Sequence, residues 1–166
     1  MMTFLPEQTA YLETPFGLML AKLCDTGLKS LDFIPLAPSQ TAPPPPLSPQ
    51  AQAILASVQA ALRGEVAPQS VPIILTGTPF QRRVWRYLQE IPHGQTRSYS
   101  EVAHAIGSPK AVRAVAKACA ANRHAVLVPC HRVIRKDSSQ TPFRWGAEVK
   151  TKLLCYESSL SKGVPY

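Results

Sequence analysis

The sequence lacks several features that would assign it to a broad class of proteins. Its four cysteines show no CxxC spacing, which argues against a zinc knuckle or a dithiol redox motif. The first ten residues, MMTFLPEQTA, lack the basic start and apolar stretch of a secretion signal. No run approaches the roughly 18 apolar residues that a membrane span needs. We therefore expect a cytoplasmic protein with reduced thiols, no metal site and no membrane partner.

Acidic side chains are also scarce, and the positive charge is unevenly distributed. The chain has 18 Lys and Arg against 10 Asp and Glu. Between Arg82 and Lys152 there are 14 basic and 4 acidic residues, so this segment carries +10 and the remainder −2. Such one-sided charge is typical of a protein that binds a polyanion, although a basic face kept for solubility would give the same count.

The first third of the chain reads as a small sheet followed by a helix. Residues 1–35 contain short apolar clusters broken at Pro15-Phe16-Gly17 and Asp25-Thr26-Gly27, a pattern that predicts an antiparallel meander. The proline-rich stretch at 36–49 indicates a stiff connector. A helix is predicted to begin at Ser48 and Pro49.

The remainder predicts a mainly helical domain, so the expected class is α+β with domains at 1–76 and 77–166. Capping boxes at Thr78 and Ser98 mark two helix starts. The second of these helices ends at Gly107, and an alanine-rich helix follows it directly. Two short helices joined by a glycine-containing turn predict a helix-turn-helix.

The alanine-rich helix, expected to begin at Ser108 and Pro109, is the candidate nucleic-acid contact. Its thin profile lets the backbone approach another surface closely, and Lys110, Arg113 and Lys117 form one basic stripe along it. Close helix-to-helix packing would also explain the alanines, but it leaves no role for three aligned cations. Without Asn or Gln to read adenine, the helix with its single Arg113 favours docking in the minor groove.

The candidate nucleophile lies in VLVPCHRVIRKD, residues 126–137. A buried strand, AVLV at 125–128, is predicted to lead to Cys130, which stands beside His131 and amid positive charge. Such surroundings lower a thiol pKa and favour the thiolate. His131 bonded only to a backbone carbonyl is the alternative. The other cysteines are interpreted as packing residues, and His93 and His104 as surface or capping residues.

These motifs, in this order, resemble the O6-alkylguanine-DNA alkyltransferases, also called methylated-DNA–protein-cysteine methyltransferases. The resemblance is carried by GTPFQRRVW, IPHGQTRSYSEVAHAIGSPKAVRAVAKACAAN, VPCHRVI and FRWG, and covers about residues 77–157. FRWG looks most like the bacterial forms. The N-terminal third resembles the family's variable first domain only through TPFGLML and GLKSLDF.

The resemblance implies a winged-helix-like second domain and direct reversal of DNA damage. A damaged nucleotide in double-stranded DNA is flipped into a pocket. Its alkyl group, chiefly methyl, then moves from O6-alkylguanine to Cys130 in a single self-inactivating turnover. The resemblance further implies a monomer that needs no cofactor. Activity on O4-alkylthymine, cooperative binding along DNA and the largest adduct accepted stay open.

The resemblance also implies roles for individual residues. His131 and Glu157 would activate Cys130 through a water, Tyr99 would donate to guanine N3, and Asn122 would brace the turn before the site. Arg113 would enter the base stack. The implied DNA-contacting residues are Lys110, Arg113, Ala114, Lys117, Arg123 and Arg135. The implied pocket residues are Tyr99, Val133, Phe143 and Trp145, with backbone groups of 133–143.

Three positions depart from the family pattern, and two other classes of protein remain in view. Pro142 stands where Gly is usual, so the pocket-side loop is expected to be stiffer. Phe143 stands where Tyr is frequent, and Arg123, where Pro is frequent, adds a cation near the DNA side. Glu157 as a solvated charge at a helix end is the alternative to its relay role. A helix-turn-helix sensor of alkylated DNA would use the same surface without repair. A Cys–His hydrolase would leave the basic segment unexplained.

Overall fold

The computed structural model describes residues 6–35, 44–137 and 142–161. The chain divides into two compact units, Met1–Leu75 and Thr76–Tyr166, whereas the sequence placed the boundary one residue later. An antiparallel sheet in the first unit and helices in both confirm the predicted α+β class. No described helix is both long and apolar enough to cross a membrane.

In its described residues, the first unit is a three-stranded meander with one α-helix packed on it. The elements are β1 (Gln8–Thr14), β2 (Gly17–Cys24), β3 (Gly27–Ile34) and α1 (Pro49–Leu62), with sheet order β1-β2-β3. Met19, Ala21 and Leu23 alternate along β2 and are fully buried, the period of a strand with one face on the core. Ser48 caps α1 as predicted by accepting from the Ala51 N–H. Most of the predicted connector, residues 36–43, lies outside the described residues.

In its described residues, the second unit contains four α-helices and a short parallel strand pair. Its elements are α2 (Pro79–Leu88), β4 (Arg97–Ser98), α3 (Tyr99–Ala105), α4 (Val112–Ala120), β5 (Val133–Ile134) and α5 (Ala147–Ser161). Both predicted capping boxes are present, at Thr78 with Gln81 and at Ser98 with Glu101. The Trp85 indole N–H donates to the Ala118 carbonyl at 2.8 Å and so links α2 to α4.

The strand pair brings two distant parts of the chain together. Arg97 pairs with Val133 and Ser98 with Ile134. Tyr99, at the start of α3, is therefore held near the segment that carries Cys130. This pairing is one of the non-local contacts on which the site depends.

The start of α4 differs from the prediction. The helix begins at Val112, and Ala111 precedes it without a side-chain cap. The Ser108 N–H is used to close α3 by donating to the Ala103 carbonyl, and the Ser108 carbonyl accepts from Ala111 in a turn. Lys110 therefore lies in the turn before the helix.

The predicted strand at 125–128 is wrong, although its burial is right. Ala125, Leu127 and Val128 are buried, but this segment forms turns. Val126 has a φ of 68°, and the Leu127 N–H donates to the Ala125 carbonyl at 2.8 Å across it, which is a γ-turn. A short apolar run shows burial without fixing the backbone, so this conformation was not evident from the sequence.

Candidate active site and DNA-contacting surface

Cys130 opens a 3₁₀ turn, Cys130–Arg132, on the wall of a cavity. The cavity has a volume of about 510 Å³, and Cys130 is 5% exposed. The same cavity is lined by Tyr99, Arg113, Arg135 and Phe143, among others. The structure thus brings the predicted nucleophile together with predicted DNA-contacting and pocket residues.

The backbone before the cysteine is held by a tight turn and by Asn122. Pro129 has φ −81° and ψ 64°, and the Cys130 N–H donates across it to the Val128 carbonyl at 2.8 Å. The Asn122 amide N–H₂ donates to the same carbonyl at 2.8 Å and to Cys130 Sγ at 3.2 Å. Asn122 therefore fixes the loop and contacts the sulfur directly, which is more than the bracing role expected.

A buried charged cluster of His131, Arg132 and Glu157 lies beyond the cysteine. His131 Nε2 and Glu157 Oε1 are 2.7 Å apart. The Arg132 guanidinium donates to both carboxylate oxygens, from Nε at 2.8 Å and from Nη2 at 2.7 Å. The three side chains are at most 4% exposed, so the interpretation of Glu157 as a solvated charge is wrong.

The protonation states in this cluster follow from burial and hydrogen bonding. Burial alone would raise the pKa of Glu157, but the bonds from His131 and Arg132 hold it at about 2. Burial, together with the charges of Arg132 and Lys150, lowers the pKa of His131 although Glu157 acts to raise it. At neutral pH the pair is thus a carboxylate and a neutral imidazole. The carboxylate can only accept, so His131 Nε2 carries the proton and Nδ1 has the free lone pair.

The expectation of a low thiol pKa is wrong for the protein without DNA. Burial raises the pKa of Cys130 to about 11, and this effect outweighs the Asn122 hydrogen bond and the charges of Lys150 and Arg144. The sequence indicated the neighbouring cations but not the depth of burial. Cys130 is therefore a protonated thiol at neutral pH and needs a base.

Comparison with known proteins assigns the family. A family model described as the DNA-binding domain of 6-O-methylguanine DNA methyltransferase matches residues 79–159. A methylated-DNA–protein-cysteine methyltransferase of Methanosarcina acetivorans is 38% identical over 152 residues, 90% of this chain and 97% of that protein. The chain belongs to the methylated-DNA–protein-cysteine methyltransferase family.

A further relative and a solved structure are also similar to this chain. The bifunctional transcriptional activator and DNA repair enzyme Ada of Escherichia coli is 50% identical over 101 residues, which are 61% of this chain and 28% of Ada. The chain spans just over half the length of several other curated relatives. The crystal structure of Mycobacterium tuberculosis OGT in complex with DNA has a TM-score of 0.74 and 35% identity, covering 90% of this chain and 91% of that one. The predicted family is confirmed.

Relative to the family expectations, the cations on α4 point outward. Arg113, Ala114 and Lys117 are exposed, as are Lys110, Arg123 and Arg135 outside the helix. Of these six, Arg113, Lys117 and Arg135 line the cavity. Two further cations that sequence reasoning did not single out, Lys136 and Arg144, also line it.

Two of the implied pocket residues do not line the cavity. Val133 is fully buried, and Trp145 packs edge-on against Phe143 with ring centroids 5.3 Å apart. Neither lines the cavity among the described residues, whereas Tyr99, Phe143 and Pro142 do. Residues 138–141 of the implied base-recognising segment lie outside the described residues.

Lys150 is a buried cation that sequence reasoning missed. It is 6% exposed, and its Nζ donates to the Val133 carbonyl at 2.8 Å and lies 5.9 Å from the Phe143 ring centroid. Burial lowers its pKa, opposed by the charges that Cys130 and Cys119 would carry. A helical signal was present, because Lys150, Leu153 and Glu157 share the i, i+3, i+7 face of α5.

Arg132 and His93 were also missed, and for them no local signal exists. Arg132 was counted only as one of several cations, yet it is the buried partner of Glu157. His93 is exposed, as the sequence predicted for a surface residue, but its Nδ1 also lies 3.2 Å from Nη2 of this arginine. His104 is exposed on α3, in agreement with the sequence.

Proposed function

We propose that this chain repairs DNA by direct reversal, moving an alkyl group, chiefly methyl, from O6-alkylguanine in double-stranded DNA to Cys130. The observation that carries the proposal is the position of Cys130. Its side chain lines an open cavity of about 510 Å³ together with Arg113 and Tyr99, and the buried charged cluster lies beyond it. The protein acts as a monomer and needs no cofactor.

The first step is docking and base flipping. The exposed cations of α4 approach the phosphates, and Arg113 occupies the space in the base stack that the nucleotide vacates. An extruded guanine then enters the cavity, because its O6 substituent cannot be reached within the duplex. The basic residues of the cavity wall, including Lys117 and Arg135, favour a nucleotide there.

The second step is removal of the thiol proton. With a pKa of about 11, only about one Cys130 thiol in 10,000 is ionised at pH 7. His131 Nδ1, which has no hydrogen-bond partner among the described residues, is the base that takes the proton, relayed by a water. Glu157 then stabilises the imidazolium through its 2.7 Å bond to Nε2.

The third step is displacement at the alkyl carbon. The sulfur–carbon bond forms as the carbon–O6 bond breaks, and the electron pair of the broken bond passes to guanine. Tyr99 donates to N3 as the purine anion leaves, which lowers the barrier more than ionisation of the thiol alone. The product is a thioether, which water does not readily hydrolyse, so each protein acts once.

The test is a mass measurement on the Cys130 peptide. The protein is incubated with excess duplex that contains one O6-methylguanine, digested and weighed. We expect one methyl group per protein, on Cys130, and no further product when fresh duplex is added.

Two variants sharpen this test. Cys130→Ala should bind the duplex with unchanged affinity and transfer nothing, while the matched Cys155→Ala, exposed on α5, should behave as wild type. Tight binding of lesion DNA without a mass gain would indicate that the protein senses alkylated DNA and does not repair it. Multiple turnover would contradict the thioether product.

A further inference from the structure

His93 lies where the buried charged cluster meets solvent. It follows Ile91-Pro92, and the Ile91 carbonyl accepts from Arg132 Nη1 at 2.5 Å. The His93 side chain is 46% exposed, whereas that of Glu157 is 3% exposed. His93 Nδ1 lies 3.2 Å from Arg132 Nη2 and 3.6 Å from Glu157 Oε1.

The hydrogen bonds fix the protonation state that this arrangement requires. Arg132 Nη2 carries two protons, of which one goes to Glu157 Oε1 at 2.7 Å. The other points to His93 Nδ1, which must therefore offer a lone pair. His93 is thus neutral in this arrangement, with its proton on Nε2.

Glu157 Oε1 lies within reach of both His93 and His131. It accepts from His131 Nε2 and from Arg132 Nη2, each at 2.7 Å. If His93 Nδ1 gained a proton, its N–H would face the N–H of Arg132 and could no longer accept from it. This N–H would instead donate to Glu157 Oε1, which lies 3.6 Å away. Three donors would then compete for one oxygen, and the bond that orients His131 would weaken.

We propose that His93 is a positioning residue for alkyl transfer, and that its protonation slows transfer by drawing Glu157 Oε1 away from His131. The predicted effect of His93 on the transfer rate rests on the proposed function, whereas its predicted effect on the orientation of His131 does not. The alternative is that His93 is an exposed histidine whose contact with Arg132 does not affect His131 or the transfer rate.

The charges that face His93 act in opposite directions. Burial lowers the pKa of His93, and the neighbouring Arg132 lowers it further, while Glu157 raises it. Among the described residues these two are the charged groups in contact with the ring, one from the 3₁₀ turn and one from α5. The net effect lowers the pKa of His93 from its ordinary value, so protonation, and with it the slower state, is expected only at acidic pH.

The test compares two substitutions that differ in one property. His93→Gln keeps an acceptor for Arg132 and does not titrate, whereas His93→Phe removes the acceptor. His104→Gln, on the exposed side of α3, is the matched control. Single-turnover methyl transfer is measured from about pH 5 to pH 8, with DNA affinity measured in parallel.

The expected result is a change in the shape of the pH profile. At pH 8, His93→Gln should transfer within about twofold of wild type and His93→Phe about fivefold more slowly, since one hydrogen bond to a charged group is lost. Toward pH 5, wild type should slow more than His93→Gln. His131 titrates too, so the difference between these two profiles is what counts. His104→Gln should follow wild type.

Ring-nitrogen NMR provides a readout that needs no transfer. In wild type, the His131 ring resonances should shift as His93 titrates, and in His93→Gln this shift should be absent. Identical acid limbs in wild type and His93→Gln, or a His131 signal that ignores His93, would overturn the inference. If wild type transfers no methyl at any pH, the proposed function fails, and the NMR result alone decides whether His93 controls His131.

Discussion

At the scale of single residues, the charge on Glu157 holds the cluster together. It receives hydrogen bonds from His131 and Arg132, and both of these are themselves buried. Removing the charge leaves a buried guanidinium without its counter-ion, which is much costlier than losing a surface pair. In the proposed mechanism, the same carboxylate stabilises the imidazolium that forms during transfer. Stability and activity therefore depend on one residue.

Glu157→Gln tests this dependence. We expect a loss of about 3 kcal/mol in the free energy of unfolding, measured by urea titration, and at least about a hundredfold slower transfer. Glu148→Gln is the control, because Glu148 is exposed and pairs with Lys152 within one helix. It should change stability by less than about 0.5 kcal/mol. Equal effects of the two substitutions would contradict the cluster's role.

The stability difference between wild type and Glu157→Gln should also depend on pH. The pKa of Glu157 is lowered from 4.5 to about 2 in the folded protein, so the unfolded chain takes up the proton first as pH falls. The contribution of the carboxylate is complete above about pH 4.5 and is lost between there and about pH 2. Urea titrations across this window should show the difference shrinking. A constant difference would mean that Glu157 is not held ionised.

The state of the Cys130 thiol gives a second prediction at this scale. Because burial raises its pKa to about 11, iodoacetamide labelling of the Cys130 peptide should rise about tenfold per pH unit from pH 7 to pH 9 without a plateau. Asn122→Ala, which removes the hydrogen bond to the sulfur, should slow labelling further at each pH. Cys155 in the same digest is the exposed control. A plateau in labelling near pH 7 would mean that Cys130 is already ionised there, as the sequence predicted.

At the scale of elements, local signals predicted the helices and failed on the loop that carries Cys130. The capping boxes at Thr78 and Ser98 are side-chain–backbone bonds over three residues, so the sequence alone contains them. The turn at 125–128 depends on γ-turn bonds and on Asn122, which the apolar pattern does not encode. Its interpretation as a strand therefore failed.

The site followed the same division. Cys130 and His131 stand out in the local sequence, Glu157 was found because the family resemblance names it, and the charge window marked the helix that is expected to contact DNA. Arg132 and His93 come together only through long-range packing, since 39 residues separate them. The pKa of Cys130 depends on burial by several elements and was predicted with the wrong sign. Non-local contacts are what the sequence left undetermined.

At the scale of the whole molecule, the charge divides along the same line as the fold. The unit at 76–166 has 15 basic and 5 acidic residues, and the unit at 1–75 has 3 and 5. A polyanion is therefore attracted to the unit that contains the cavity, before any specific contact forms. Release of counterions from DNA then makes binding depend steeply on salt.

Lys117→Gln measures this contribution at one exposed position on α4. We expect weaker binding by the same factor for unmodified and O6-methylguanine duplex, because a phosphate contact carries no information about the base. The slope of log affinity against log salt should fall by about 0.9, the value for one phosphate contact on duplex DNA. Lys152→Gln removes an equal charge from α5, where the side chain is paired with Glu148 and does not line the cavity, and should leave the slope unchanged. Fluorescence anisotropy from low to moderate salt measures the DNA affinity of wild type and both variants.

An unchanged slope for Lys117→Gln would mean that α4 does not lie along the DNA backbone. An equal fall for Lys152→Gln would assign the effect to net charge rather than to that helix.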